Sequence, residues 1–316
     1  MSSLFNPAMP KRMADMGPQS HAAPANAAEA RARFFNSANA FNIKLAPVPS
    51  HSFEEQAGTA LAENAATGYQ LCDQSHTLGS SFAATTPLML ARYAHVAPHD
   101  ALLADFAASG SIWYVITGKG HSRLTDGQIL NWAAGDVFYV SGPQTMKLHA
   151  DEGGATLWVV TDEPLLIGHG LQPAIRSQEL VHYPADEIER QLAQIYDAEA
   201  DDTTSGRALI FSSEALMESR NIHPMMTLSL NTLAPGQSQA AHRHNSAAIT
   251  LIVEGDGCHS MVGGERISWQ PWTTLVTPPG APHSHHNGSS ARRALFLIVQ
   301  DGGLHYRART MDFRNS

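Results

Sequence analysis

Six of the seventeen histidines lie between Gly236 and Asn287, and their spacing is typical of a metal site. His242 and His244 alternate along the chain, so on a strand both side chains leave the same face. His283 follows a Pro/Gly turn, from which a neighbouring strand can return it to that pair. Three imidazoles that converge inside a β-barrel make an open site for a first-row transition metal. We therefore predict that His242, His244 and His283 are metal ligands.

The size and charge of the chain narrow the classes of protein to which it can belong. Its 316 residues suffice for two ordinary domains or one large one. With 43% hydrophobic and 16% charged residues, the composition indicates a globular protein rather than a disordered one. The formal net charge of -9, without a basic stripe, argues against nucleic acid as a partner.

Cysteine usage and hydropathy indicate the compartment. Cys72 and Cys258 are the only cysteines and can form at most one disulfide, so a reduced, cytoplasmic protein is expected. The sequence that follows Met1 lacks a basic start and an apolar run, so we expect no signal peptide. No segment approaches about eighteen consecutive apolar residues, so we expect no membrane span and no membrane partner.

Short apolar runs separated by Gly and Pro indicate two successive all-β regions. The first lies between residues 80 and 166, and the second begins near residue 207. Within the second, Leu228 and Leu230 alternate with polar residues, as expected of a half-buried strand. The predicted strands are Ile112–Thr117, Asp136–Val140, Thr156–Val160, Arg207–Phe211, Thr227–Thr232, Ile249–Glu254, Cys258–Val262, Thr274–Thr277 and Arg293–Val299.

Two helices are predicted outside these runs. Asn26 followed by Glu29 forms a capping-box pattern that opens a short helix to about Phe35. Pro184 opens a second helix, because the apolar residues that follow it fall on one helical stripe. An acidic turn that begins at Glu199 ends this helix.

The two β regions resemble a weak internal repeat. The turn pattern Val-Glu-Gly-Asp-Gly of the second region is echoed by Ile-Thr-Gly-Lys-Gly in the first. Superposing the two regions places Asp105 and Ala107 at the positions of the first two ligands, and Lys147 near the third. The first region is therefore expected to keep the barrel pattern without the ligands.

Residues 236–287 match the two sequence motifs of the cupin family. The first motif is Gly, five residues, then His-x-His, and the second is Pro-x-Gly-x-x-His-x-x-x-Asn. The matching residues are Gly236, His242 and His244 in the first motif and Pro278, Gly280, His283 and Asn287 in the second. The chain therefore resembles a bicupin with a degenerate N-terminal barrel and a metal-bearing C-terminal barrel.

One departure from the cupin pattern restricts the resemblance to cupins that lack a glutamate ligand. Most cupins place a Glu four or five residues after the second His as a fourth ligand, where this chain has Ala248 and Ile249. A three-histidine site without a carboxylate is found in gentisate and salicylate 1,2-dioxygenases. The segments His242–Gly257, Gly264–Arg266 and Thr277–His285 also look like the catalytic cupin of that family. In those enzymes the competent barrel is the N-terminal one, whereas here it is the C-terminal one.

The resemblance implies an Fe(II)-dependent, extradiol-type ring-cleaving dioxygenase. Such an enzyme inserts both atoms of O2 into gentisate or a substituted salicylate, between the carboxyl-bearing and hydroxyl-bearing ring carbons. Three neutral imidazoles leave a divalent metal its full charge, which favours an anionic chelate such as a carboxylate with an ortho phenolate. The expected cofactor is therefore Fe(II), and the expected partners are a small aromatic hydroxy acid and O2.

Three further residues are candidates for the catalytic machinery. His285 corresponds to a family histidine near the bound substrate, and we expect it to hydrogen-bond the phenolic oxygen and accept its proton. Arg207 matches a family arginine that precedes the catalytic strands. Arg207 and Arg266 are both candidates to clamp the carboxylate, since a guanidinium can bind it with two parallel hydrogen bonds. Ser246 stands where the family often has Gln.

Two other functions stay open at this point. One is a different metal-dependent cupin enzyme, either a diketone dioxygenase or a non-redox lyase or isomerase that uses Zn, Mn or Ni as a Lewis acid. The other is a non-enzymatic small-molecule sensor, which is the least favoured because the sequence shows no helix-turn-helix motif or basic patch.

The predicted fold class is all-β: a bicupin of two β-barrels, each a double-stranded β-helix, with short connecting helices. The resemblance also implies a homo-oligomer. The predicted domains are an N-terminal arm and short helix over 1–60, a degenerate cupin without metal ligands over 61–170, a connecting helix and lead-in strand over 171–220, and a metal-binding cupin over 221–316.

Overall fold

The computed structural model describes residues 12–41, 43–174, 179–199 and 206–315. Antiparallel strands greatly outnumber helices, which confirms the all-β prediction. These residues divide into two compact units between Ala46 and Pro47. Part of the predicted arm (1–11) and part of the predicted acidic turn (200–202) lie outside the described residues. No helix within the described ranges is long and apolar enough to cross a lipid bilayer.

The first unit contains little regular structure. Its elements are a 3-10 helix (Met13–Asp15), strand β1 (Gln19–Ser20), helix α1 (Ala27–Arg31) and strand β2 (Arg33–Phe34), which pairs with β1. Asn26 caps α1 as predicted, because its side-chain oxygen accepts two backbone N–H groups of the first turn. The helix ends before the predicted Phe35, because the backbone becomes extended at Ala32 and continues into β2.

The second unit begins with β3 (His51–Ser52) and α2 (Glu54–Ala60), and the first barrel follows. Its elements are β4 (Gly68–Leu71), α3 (Ser75–Leu78), β5 (Leu90–Val96), β6 (Ala101–Ala104), β7 (Gly110–Leu124), β8 (Ile129–Ala133), β9 (Val137–Ser141), β10 (Met146–Thr161), α4 (Glu163–Gly168) and β11 (Leu180–Tyr183). The sheet order is β11-β9-β7-β10-β5-β4, with β6 on β10 and β8 on β7. The three strands predicted in this region fall on β7, β9 and β10.

Helix α5 (Ala185–Asp197) connects the barrels and lies within two residues of its predicted bounds. The second barrel contains β12 (Arg207–Phe211), a 3-10 helix (Glu214–Ser219), β13 (Thr227–Leu233), β14 (His242–His244), β15 (Ala248–Glu254), β16 (His259–Val262), β17 (Glu265–Ser268), β18 (Thr274–Thr277), β19 (His283–His286), β20 (Ala294–Gln300), α6 (Gly302–Ala308) and β21 (Phe313–Asn315). One sheet has the order β12-β13-β20-β15-β18-β3, and the other β17-β16-β19-β14-β21. All six strands predicted here are present, and β12 and β18 have the predicted bounds.

An indole-to-serine hydrogen bond recurs in both barrels. Trp132 Nε1 donates to Ser122 Oγ at 2.9 Å in the first barrel. Trp269 Nε1 donates to Ser260 Oγ at 2.8 Å in the second. Because the same bond occurs in both barrels, the two bonds serve as landmarks that show which residues of the barrels are equivalent.

The landmarks show which residue of the first barrel replaces the third ligand. The two serines pair across the sheet with Leu148 in the first barrel and with His285 in the second. Two residues earlier on the same strands, Met146 therefore corresponds to His283. The predicted equivalent, Lys147, is instead exposed, because a shift of one residue along a strand turns the side chain to the opposite face.

The predicted equivalent of the first ligand is also displaced by one residue. Ala104 pairs with Met146 as His242 pairs with His283, so Ala104 rather than Asp105 takes the place of the first ligand. Ala104 and Met146 both belong to a buried apolar core inside the first barrel. That barrel is therefore filled with apolar side chains at the level where the second barrel carries imidazoles.

Thr274 on β18 joins the two barrels through buried hydrogen bonds. Its Oγ1 accepts the indole N–H of Trp158 at 2.9 Å and lies 2.7 Å from the hydroxyl of Tyr93. Tyr93 donates its own proton to the carbonyl oxygen of Trp272 at 2.6 Å, so the Thr274 hydroxyl donates to Tyr93. Tyr93 and Trp158 belong to the first barrel and Thr274 to the second, and all three are fully buried.

A buried Ser–His–Asp group forms a second junction between the barrels. His223 Nδ1 accepts the backbone N–H groups of Met225 and Met226, so its Nε2–H donates to Ser109 Oγ at 2.9 Å. The Ser109 hydroxyl in turn donates to Asp162. Because serine lies between the other two and His223 and Asp162 are each only 1% exposed, this group is a structural junction rather than a nucleophilic triad.

We predict that Thr274→Val lowers the free energy of unfolding by about 1–3 kcal/mol, because it leaves a buried indole N–H without an acceptor. Denaturant unfolding followed by tryptophan fluorescence measures the loss. Thr125→Val is the matched control, since the Thr125 side chain makes a single exposed hydrogen bond and its loss should change stability by less than about 0.5 kcal/mol. Equal effects of the two substitutions would contradict the assigned role of Thr274.

Candidate metal centre

The strand register brings the three predicted ligands together. His242 on β14 lies directly opposite His283 on β19, and His244 projects from the same face of β14 as His242. The ligand atoms of the three side chains all lie within 4.8 Å of one another. All three residues are buried, with exposed fractions between 5% and 7%. Within the described part of the chain, this is the one group of three or more His, Cys, Asp or Glu residues arranged to hold a metal ion.

Backbone carbonyls fix the tautomer of each of these imidazoles. Nδ1 of His242 lies 3.0 Å from the carbonyl oxygen of Ala240, and Nδ1 of His283 lies 2.9 Å from that of Ala281. Nδ1 of His244 lies 2.8 Å from the carbonyl oxygen of Ser246. A carbonyl can only accept, so each Nδ1 carries the proton and each Nε2 presents a lone pair. This donor set fits a divalent transition metal, which binds neutral imidazole nitrogen.

Burial keeps the imidazoles of His244 and His283 uncharged. Loss of solvent lowers the pKa of His283 to about 3 and also lowers the pKa of His244. Both side chains are therefore neutral near pH 7. Ala248, at one of the positions where most cupins carry a glutamate ligand, lines the same cavity, and no described carboxylate does. The site consequently offers three imidazole nitrogen donors and, among the described residues, no carboxylate.

A cavity of about 240 Å³ opens beside the three imidazoles. Its lining combines neutral polar side chains with apolar ones, and no Lys or Arg of the described residues belongs to it. Thr250 Oγ1 and Gln239 Oε1 are buried there without a hydrogen-bond partner among the described residues. The lining residues are Ala208, Ile210, Ser229, Asn231, Gln239, His242, His244, Ala248, Thr250, Thr277, His283, His285, Ile298, Gln300, Tyr306, Met311 and Phe313. Such a cavity suits a compact ligand with polar groups.

His285 lines the cavity as a hydrogen-bond donor. Its Nδ1 lies 2.8 Å from Ser260 Oγ, which already accepts the indole N–H of Trp269. Among the described residues Nδ1 is the one acceptor within reach of the buried Ser260 hydroxyl, so this hydroxyl donates to Nδ1 and the neutral ring keeps its proton on Nε2. Complete burial lowers the pKa of His285 well below its usual range. The neutral ring thus presents an N–H to the cavity, which differs from the expected role as a proton acceptor.

The structure does not bring the two predicted arginines to the cavity. Arg207 donates from Nη1 to the carbonyl oxygens of Ile195 and Tyr196 in the last turn of α5, where a cation is favourable. Arg266 lies on β17 with its side chain exposed, and its Nη2 is 3.5 Å from Nδ1 of His259. Neither side chain is positioned to clamp a carboxylate at the three histidines.

Gln300 is a cavity residue that the motifs do not reveal. Its Oε1 accepts the hydroxyl proton of Ser246 at 3.1 Å, which directs its amide nitrogen to within 3.5 Å of His244 Nε2. Gln300 lies two residues beyond Ile298 on β20, and both line the cavity. Alternate residues of a strand share a face, so the strand pattern of β20 could have predicted that Gln300 faces the cavity.

The asparagine of the second motif has a structural role. Asn287 Nδ2 lies within hydrogen-bond distance of the carbonyl oxygens of Leu233, Ala234 and Arg292. These contacts tie the end of β13 and the approach to β20 to the segment that follows the third ligand. Asn287 is 3% exposed and does not line the cavity.

The family model and the curated relatives each match only part of the chain. Residues 229–300 match the family model described as a cupin domain. Over 83 residues the chain is 34% identical to gentisate 1,2 dioxygenase 1 of Aquipseudomonas alcaligenes, covering 26% of this chain and 24% of that protein. Over 91 residues it is 30% identical to the 1-hydroxy-2-naphthoate 1,2-dioxygenase of Nocardioides sp. (strain KP7), covering 28% and 23%. The chain thus spans about a quarter of the length of these curated relatives.

A comparison of folds covers most of the chain. The structure of salicylate 1,2-dioxygenase from Pseudoaminobacter salicylatoxidans with gentisate aligns with a TM-score of 0.69 and 13% sequence identity, over 87% of this chain and 86% of that chain. This likeness confirms the predicted bicupin fold. Together with the sequence matches, it confirms the resemblance to gentisate/salicylate-type dioxygenases that the motifs indicated.

We predict that His283→Ala weakens Zn(II) binding by more than about 100-fold, since loss of an outer-shell partner alone costs about 10–100-fold. Competition with a chromophoric chelator measures the affinity, and circular dichroism checks the fold. His286→Ala is the control on the same strand, because its imidazole is bonded to Ser238 and Ser284 outside the cavity. Equal losses in the two variants would argue against a metal role for His283.

Proposed function

We propose that this chain is an Fe(II)-dependent ring-cleaving 1,2-dioxygenase of hydroxybenzoates, with gentisate or a substituted salicylate as substrate. It would insert both atoms of O2 into the ring and cleave between the carboxyl-bearing and hydroxyl-bearing carbons. The observation that carries the proposal is the buried cluster of three imidazoles without a carboxylate among the described residues. The cluster lies in the barrel that matches the cupin domain model, in a chain that is similar over part of its length to proteins named 1,2-dioxygenases.

The charge of the site supports an anionic chelating substrate. His242, His244 and His283 would hold the metal through Nε2, and as neutral ligands they leave its 2+ charge uncompensated. When bound, Fe(II) supplies the one-electron chemistry that lets an electron-rich ring react with dioxygen. A carboxylate with an ortho phenolate matches this charge. Among the described residues that line the cavity, no Lys or Arg would compete with the metal ion for the carboxylate or the phenolate.

Two neutral donors beside the ligands can orient such a substrate. His285 offers its Nε2–H, and Gln300 offers its amide N–H groups close to His244. Both orientations are fixed by serines, Ser260 for the histidine and Ser246 for the glutamine. Donors held in place before the substrate arrives can stabilise negative charge on its oxygens without reorganising. His285 would therefore position the phenolate oxygen and stabilise its charge rather than take its proton.

The unpartnered polar atoms of the cavity support a ring with a further polar substituent. Thr250 is only 1% exposed, and neither its hydroxyl nor Gln239 Oε1 has a partner among the described residues. Buried polar atoms without partners are costly, so a ligand that satisfies them gains affinity. A hydroxyl or amino substituent on the ring would do so.

A diketone dioxygenase is the second candidate function. The described cavity lining contains no cationic side chain for a separate carboxylate. The enolate of a 1,3-diketone carries its single charge on the two chelating oxygens and needs no such partner. The homo-oligomer and the cytoplasmic location expected from the sequence belong to the proposal in either case.

We predict oxygen consumption when the Fe(II)-loaded protein is mixed with gentisate or 5-substituted salicylates, with one O2 used per ring opened. An oxygen electrode and mass spectrometry of the product in 18O2 measure this stoichiometry. Incorporation of both 18O atoms would confirm the reaction. Oxygen uptake with acetylacetone but with no hydroxybenzoate would replace the proposal with the second candidate.

We predict that His285→Leu lowers kcat by about 10²–10³-fold, the usual loss for one preorganised donor, while one metal ion per chain is retained. Leu148 holds the equivalent place in the first barrel, so this barrel type accommodates leucine beside the indole-bonded serine. His285→Gln keeps an N–H donor and should recover part of the activity. If the two variants are equally active, donation by His285 does not contribute to catalysis.

A further inference from the structure

The segment that follows the last barrel strand folds back over the candidate metal centre. After β20, helix α6 reverses the chain, and β21 then pairs with β14, the strand that carries two of the candidate ligands. In that pairing Phe313 lies opposite His244. Tyr306, Met311 and Phe313, all from this segment, line the cavity.

Phe313 contacts the cavity and solvent at the same time. Its ring stacks on the imidazole of His242, with the centroids 5.1 Å apart and an angle of 28° between the planes. The side chain nevertheless remains 49% exposed, and Tyr306 beside the same cavity is 53% exposed. Large apolar side chains that keep this much exposed surface at a cavity gain free energy when a ring covers them. The two aromatic side chains therefore form a wall at the cavity mouth.

Asn245 fixes this wall to the ligand strand. Its Nδ2 donates to the carbonyl oxygen of Thr310 at 2.7 Å, and its Oδ1 accepts the backbone N–H of Asp312 at 3.0 Å. The backbone N–H of Asn245 donates to the carbonyl oxygen of Asp312 at 3.2 Å. Asn245 immediately follows His244, so the wall is held at a defined distance from the metal centre.

We infer that residues 302–315 limit the size of the ring that the cavity accepts, with Phe313 as the specificity-determining residue. This inference rests on the proposed function and deepens it. The face of Phe313 that points away from His242 would contact the aromatic substrate. A fused second ring that extends from a six-membered ring bound in this cavity of about 240 Å³ would meet the Phe313 side chain, which lines it. Phe313→Ala removes the wall and its stacking contact with His242 but keeps all three candidate ligand side chains, and the half-exposed position tolerates the change.

The test compares salicylate with 1-hydroxy-2-naphthoate, which share the ortho hydroxy-carboxylate and differ by a fused ring. Calorimetric titration of protein loaded with one Zn(II) per chain measures both affinities without turnover. We expect Phe313→Ala to raise the affinity for the naphthoate relative to salicylate by about tenfold or more, in the range that hydrophobic pockets discriminate. Ile129→Ala, at a similarly exposed site on β8 of the first barrel, should leave the ratio unchanged.

Each outcome decides between the two proposals. If the wild type binds salicylate and Phe313→Ala leaves the affinity ratio unchanged, the inference about the wall is wrong and the proposed function stands. If the wild type and the variant bind neither hydroxy acid, the proposed function fails, and the inference that rests on it fails as well. If Phe313→Ala raises the affinity for 1-hydroxy-2-naphthoate relative to salicylate, the result supports both the inference about the wall and the proposed function.

Discussion

The chemistry of this protein depends on how two short antiparallel strands and a few carbonyl groups present three imidazoles. The register between β14 and β19 sets His242 against His283, and the alternation of β14 adds His244. Each Nδ1 is then bound to a backbone carbonyl, so only Nε2 is free to bind a cation. A slip of one residue in either strand would turn the side chains to the opposite face and abolish the site.

Placing several neutral histidines in a barrel interior requires a rigid surrounding structure. The desolvation that lowers the pKa of His244 and His283 is the same effect that keeps them available as ligands. The first barrel has apolar side chains at the corresponding level, and buried hydrogen bonds through Thr274 join it to the second. The first barrel thus acts as a packed support for the second barrel, which retains a cavity.

Much of this architecture could be predicted because strand periodicity and motif spacing are local signals. The bounds of β12 and β18, the position of α5 and the meeting of His242, His244 and His283 follow from such signals. Contacts distant in sequence could not be predicted, because no local pattern encodes them. Arg207 caps α5 instead of facing the cavity, and the wall around Phe313 arises from the return of a segment far from the motif. The misplacement of Lys147 shows that superposing weak repeats can err by one residue, which reverses the face of a strand.

The most direct test of this account is the protonation and coordination state of the three imidazoles. Nitrogen-15 NMR of histidine-labelled, Zn(II)-loaded protein distinguishes metal-bound Nε2 from protonated Nδ1. We expect three histidines coordinated through Nε2, each with its Nδ1 proton protected from exchange by a carbonyl, and their signals should be lost selectively in variants of His242, His244 and His283. Coordination through Nδ1, or a metal bound by fewer than these three histidines, would contradict the account.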